Sequence, residues 1–275
     1  MRAVRPQLKR KIDRAAFSLI ELLVVMAIIG VLATIGLPAL RGLGGSTDIA
    51  AANRQLMDDL NYARFKAINE RTTVYMVFVS QDILTGNYNN KQKLEVAKLA
   101  NLQYTSYGLF AKRTLGDQPG AASPRYITEW KTLPDGIFIM TNKFDIQGAS
   151  APELARRIIP VVQRPFSYQR IPFPTVRDQP LLLPVIAFDY QGRLVTTDGQ
   201  GKNRAAEDVV LPVVKGSIIY PQEGRVQAKR ESLDPAEIIE TPRGNFTNNP
   251  VIRVDWLTGR ARSIRSENFD YAALN

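Results

Sequence analysis

Three groupings of side chains in this 275-residue sequence have types and spacings that suggest chemistry. They are the acidic neighbours Asp58-Asp59 and Glu207-Asp208, a lone Glu21 inside an apolar run, and a set of arginines near the C-terminal end. The sequence contains no histidine and no cysteine. That excludes a histidine-based triad, an imidazole general base, a thiol nucleophile and cysteine-ligated metal. It also excludes disulfides, so the fold must be held by its core alone. Residues one apart do not share a helix face, and no D-x-D-x-D-G loop accompanies the acidic pairs, so both read as solvated surface. Gly201-Lys202 lacks the rest of a phosphate loop. No enzyme activity, metal or cofactor is expected from these groups.

Glu21 is a different matter. It is the only charge between Arg14 and Arg41, and residues 22–37 are apolar or small. Counted from Phe17, the run has the length to span a hydrocarbon core of about 30 Å at about 1.5 Å per residue. Before it, residues 1–16 carry six basic residues against one acid, a net +5 out of the chain's formal +10. A positive flank ahead of a span keeps that end in the cytoplasm and exports the domain on the other side. In an ordinary secretory signal the small-residue cleavage site comes after the apolar run. Here the only suitably placed small residues, Ala15-Ala16, precede it, so cleavage there leaves the helix on the mature chain as an anchor. A carboxylate within an apolar span is costly, and either reaches the headgroups or is kept for a partner.

The segment Ala16-Phe17-Ser18-Leu19-Ile20-Glu21-Leu22 resembles the prepilin processing motif of type IV pilin-like proteins. The resemblance implies cleavage between Ala16 and Phe17 by a prepilin peptidase and N-methylation of Phe17. It implies that Glu21 serves assembly by pairing with the terminal amine of a neighbouring subunit, two groups costly to bury alone and tolerable together. Ala16 stands where glycine is usual, and Pro38 falls where this family carries a helix-breaking proline.

These residues have to be positioned by a helix and a domain. Past Pro38, Gly42, Gly44 and Gly45 predict a break, either a hinge or a locally melted segment. Ile49, Ala52, Leu56, Leu60, Ala63 and Ala67 then recur at helical spacing, a stripe that must pack on a core. From residue 72 the pattern becomes short β runs at 73–79, 130–133, 136–141, 185–190, 193–197, 209–214, 217–220 and 251–257, separated by turn signals. The expected fold is therefore α+β, with a long N-terminal helix, transmembrane then amphipathic, packed on an antiparallel sheet domain. The expected divisions are a cleaved leader at 1–16, a transmembrane and assembly helix at 17–40, an amphipathic half at 41–71, and a β-rich domain at 72–275. Two stretches within that domain, near 82–125 and the proline-rich 148–183, read as surface insertions.

Further pieces resemble the H-type pseudopilins of type II secretion and related minor pilins. They are Ala63-Arg64-Phe65-Lys66-Ala67, Leu133-Pro134-Asp135-Gly136, the Phe188 to Gly192 turn, and Thr258-Gly259-Arg260 at the last strand. The resemblance implies a minor subunit of a pseudopilus or pilus in the bacterial inner membrane, single-pass, with a cytoplasmic leader and a periplasmic or extracellular domain. Its implied partners are other pilin subunits, the prepilin peptidase and membrane lipid, with secreted cargo or DNA as further ligands. Arg253, Arg260, Arg262 and Arg265 lie within thirteen residues, and Gly259–Arg262 resembles a motif of pilin-like proteins that take up DNA. Arg260, Arg262 and Arg265 either grip phosphates without reading sequence or are a solvated strand end.

Overall fold

A computed structural model of the chain describes residues 19–86, 88–118, 122–152, 155, 158–220, 236–240 and 249–265, apart from the side chains of 33–47, 90–91 and 93–95. The chain divides after Gly45 into two compact units. One helix, α1 (Leu19–Asn69), contributes to both. Its span includes Pro38 and the three glycines where the sequence predicts a break; their side chains lie outside the described residues.

In the first unit every described side chain from Leu19 to Leu32 is exposed. Among the described residues, no helix is long and apolar enough to cross a membrane.

The second unit begins with the remainder of α1. The predicted stripe is buried in full: Ile49, Ala52, Leu56, Leu60, Ala63 and Ala67 all face the core. The helix ends where Arg71 enters the left-handed region at φ 48°, with the Thr72 N–H donating back to the Ala67 carbonyl at 3.2 Å. Beyond it come β1 (Val74–Phe78), α2 (Asn90–Ala100), β2 (Ser106–Ala111), β3 (Arg125–Tyr126), β4 (Lys131–Thr132), β5 (Ile137–Ile139), α3 (Ile146–Ser150), β6 (Ser167–Pro172), β7 (Pro180–Phe188), β8 (Leu194–Val195), β9 (Val209–Leu211), β10 (Val213–Ile219), β11 (Glu237–Glu240), β12 (Val251–Val254) and β13 (Ala261–Ile264). All ladders are antiparallel.

Seven strands form the main sheet, in the order β3-β2-β1-β7-β6, with β4 on β2 and β8 on β7. Its middle strand, β1, is buried on both faces. Val74, Met76 and Phe78 join the core under α1, whereas Tyr75 and Val77 join a second core that includes Val96, Leu99 and Ala100 of α2. Burial on both sides explains why residues 73–79 are continuously apolar or branched rather than alternating. The expected α+β architecture is therefore present, with three layers: α1, the sheet, and α2 with the loops around it.

The two stretches read as surface insertions are corrected by this arrangement. Residues 82–125 supply α2 and the fully buried β2, which pairs with β1 from Val74↔Ala111 to Phe78↔Tyr107. Residues 148–183 supply β6 and the start of β7, paired from Ser167↔Val185 to Pro172↔Pro180. The prolines bound that hairpin rather than excluding it. Pro172 and Pro180 flank the loop that joins its strands, and Pro184 lies one residue beyond the β1–β7 ladder, which stops at Val185. Residues 209–214, read as one strand, form two. Pro212 has no N–H to donate, and there the chain leaves the small sheet β13-β12-β9 for the small sheet β11-β10-β5.

Candidate functional site

The acidic pairs do not form sites, and each acid has its own task. Asp58 is exposed, but Asp59 is buried against the sheet, not solvated as the sequence suggests. Its carboxylate accepts from the Tyr107 hydroxyl at 2.6 Å and pairs with Lys131 Nζ at 2.6 Å. Gln55, one turn earlier, donates to the Tyr107 hydroxyl and to the Thr132 carbonyl, each at 2.9 Å. Burial, followed by the hydrogen bond to Asp59, pushes the Tyr107 phenol well above its ordinary value. Glu207 pairs with Arg164 at 3.0 Å, whereas Asp208 takes Arg253 Nε at 2.7 Å and the Trp256 N–H at 2.8 Å. Gly201 and Lys202 sit in a turn closed on Asp198, with Gly201 at φ 80°.

Three of the short sequence pieces, Ala63–Ala67, the Phe188 to Gly192 turn and Thr258-Gly259-Arg260, converge on one place, the C-terminal part of α1. Arg64 Nε donates to the Thr258 carbonyl at 2.6 Å. Asp189-Tyr190-Gln191-Gly192-Arg193 folds into a turn in which the Asp189 carboxylate accepts from the N–H groups of Gln191 and Arg193. Asp255 does the same for Thr258, and this backbone donor is the first cause holding its carboxyl below the ordinary range. Gly192 and Gly259 have φ of 79° and 63°. The two turns are also stacked without room between them. A Cβ on Gly259 would overlap the Gly192 carbonyl oxygen, and one on Gly192 would lie 2.7 Å from Ile68 Cδ1. The Leu194 N–H donates to the Trp256 carbonyl at 2.9 Å, so both turns are fixed to each other and to α1.

The arginine cluster is split by this geometry. Arg253 is held by Asp208 and stands opposite Arg262 in the β12–β13 register. Arg260, Arg262 and Arg265 are exposed. Arg265 lies past β13 at an odd separation from Arg262, which in extended chain faces the other way. Glu21 is exposed on the first turn of α1, and the cleavage residues Ala16 and Phe17 lie outside the described residues.

Sequence reasoning did not pick out Tyr62, Phe65 and Ile68, exposed on α1 at three-residue spacing, or the exposed Trp256 and Leu257. The signal was there: a second set of large apolar residues out of phase with the buried stripe.

A long N-terminal helix leading into an antiparallel, three-layered α+β domain is the architecture of the pilin fold. The chain is type IV pilin-like at its N-terminus: residues 12–37 match the prokaryotic N-terminal methylation motif. That motif marks a prepilin, processed by a prepilin peptidase and assembled with other pilin subunits. No curated protein and no solved structure matches the chain.

Proposed function

We propose that this protein is a minor pilin or pseudopilin, a structural subunit of a type IV pilus or of a type II secretion pseudopilus. The observation that carries the reading is the methylation motif over residues 12–37, with Glu21 the only acid in the apolar run after the cleavage point. The leader is removed between Ala16 and Phe17, Phe17 is methylated, and the retained helix holds the subunit in the inner membrane with its domain exported. Assembly occurs when the helix leaves the lipid and Glu21 meets the Phe17 amine of a neighbour, each charge removing the cost of burying the other. The protein acts by assembly and contact, not by catalysis. Mass spectrometry of the mature chain tests this directly. A methylated N-terminus at Phe17 is expected, and a start beyond Leu37, with the helix lost, would overturn it.

The exposure of Arg260, Arg262 and Arg265, with no carboxylate paired to them among the described residues, favours DNA capture as a second reading. The engagement of Arg253 by Asp208 reduces the charge available to it.

A further inference from the structure

In the second unit, exposed large apolar side chains are not evenly spread. Of the ten among the described residues, six are Tyr62, Phe65, Ile68, Tyr190, Trp256 and Leu257. They belong to three elements that meet at one point: the end of α1, the Asp189–Arg193 turn and the Asp255–Arg260 turn, joined through Arg64 and the two stacked glycines. An apolar surface built by distant parts of the chain at one location marks an interaction site more than scattered exposure does. Tyrosine, tryptophan and arginine are also the residues that dominate protein contacts.

The patch is preorganised. Trp256 has its N–H bonded to Asp208 and its carbonyl to Leu194, so its backbone is held on both sides while the side chain stays 42% exposed. Tyr190 is presented by a turn closed through Asp189. A side chain already held in place gives up less freedom on binding.

Charge decides the occupant. Three acids on these elements are paired with cations: Asp189 with Arg193, Asp208 with Arg253, and Glu70 with Lys66 and Arg125. Asp255, bonded to the neutral Thr258, and the exposed Asp58 keep their charge. Arg260 remains exposed at the border, with Arg262 on the adjoining strand. With Arg64, Arg260 and Arg262 set against Asp58 and Asp255, the border is cationic on balance. A second copy of the chain, still +5 once the +5 of residues 1–16 is taken from the formal +10, is a poor complement to it. Nucleic acid fits less well, because Ile68 and Leu257 within the patch offer no ring face on which a base can stack.

We propose that this patch docks a different protein subunit through an apolar cluster bordered by carboxylates. The proposal rests on the subunit reading above and adds the location and chemistry of its lateral contact. The test uses the full chain in the cells that assemble it, with benzoylphenylalanine placed in turn at Phe65, Tyr190 and Leu257. Leu115 and Ile158, exposed on other elements, serve as controls. Irradiation should give the same polypeptide adduct at the three patch positions and not at the controls, with the crosslinked segment of the partner rich in Asp and Glu. Arg260→Glu should lower the adduct roughly fivefold, and Arg260→Gln by less. Equal adducts at the controls, an adduct of the chain with itself, a nuclease-sensitive adduct, a partner segment without acids, or no adduct would each overturn the proposal. The mature N-terminus is read in the same cells. Normal cleavage with no patch adduct removes this inference alone, whereas missing cleavage removes the subunit reading beneath it.

Discussion

The two ends of α1 are built from similar residues and meet opposite fates. Leu23, in the first unit, is exposed along with every described neighbour, whereas Leu60, in the second, is completely buried between helix and sheet. Periodicity makes the difference. From Ile49 to Ala67 apolar residues return every three or four positions and leave a polar side, so one domain satisfies the helix. From Leu22 to Leu32 they surround it, and no single-sided core could cover them. The first stretch therefore needs lipid or other subunits, and the second needs only its own chain.

The sharpest way to break this contrast is at Glu21, which directly precedes the first stretch and is the only charge between Arg14 and Arg41. Glu21→Ala should leave cleavage intact and reduce incorporation into filaments on the order of a hundredfold, since a buried amine is left unpaired. Shearing followed by immunoblotting reads this, and wild-type incorporation would remove the assembly role. Next comes a matched pair. Leu60→Ala should destabilise the full chain in detergent by about 2–5 kcal/mol. Leu23→Ala should change stability by less than about 0.5 kcal/mol. Denaturant unfolding followed by the fluorescence of Trp130 and Trp256 distinguishes them, and equal effects would show that the two stretches are not differently supported.

Gly259→Ala probes the place where the last hairpin meets the second stretch. Its positive φ and the Gly192 oxygen behind it predict a loss of about 1–3 kcal/mol in the same assay. The smallest effect concerns DNA. If the full chain binds labelled duplex, replacing Arg260, Arg262 and Arg265 by Ala should flatten the salt dependence by about one unit per lost phosphate contact. Fluorescence anisotropy over a salt series measures it, and an unchanged slope would return these side chains to a solvated strand end.

The features legible in advance are those whose signals are local. The processing motif and the buried stripe are each contained within a short stretch of sequence, so the order of residue types is enough to identify them. Residues 106–111 and 167–172 were missed as strands because their partners are distant. Ser106–Ala111 is a strand because β1 lies beside it and Trp130 and Tyr126 cover Gly108 and Phe110 on its far face, neither of which its own composition announces. Asp59 was misread for the same reason, since only Tyr107 and Lys131, some fifty to seventy residues away, make its burial tolerable. The Gly192 and Gly259 turns were recognised singly, but that they stack on Arg64 was not visible from either.

Gln55, Asp59 and Arg64 have a mechanical consequence. Under the proposed assembly, an axial pull on the Ile49–Ala67 part of α1 would act on the domain as shear between helix and sheet. Apolar contacts resist such sliding weakly, because a displaced leucine finds equivalent neighbours. Directional bonds do not slide. Gln55 to Thr132 and Asp59 to Lys131 tie the helix to β4, Asp59 to Tyr107 ties it to β2, and Arg64 to Thr258 ties it to the last turn, at intervals of about one turn of α1. They act as rivets at successive heights along a shaft, so an axial pull is shared among strands instead of peeling them off one at a time.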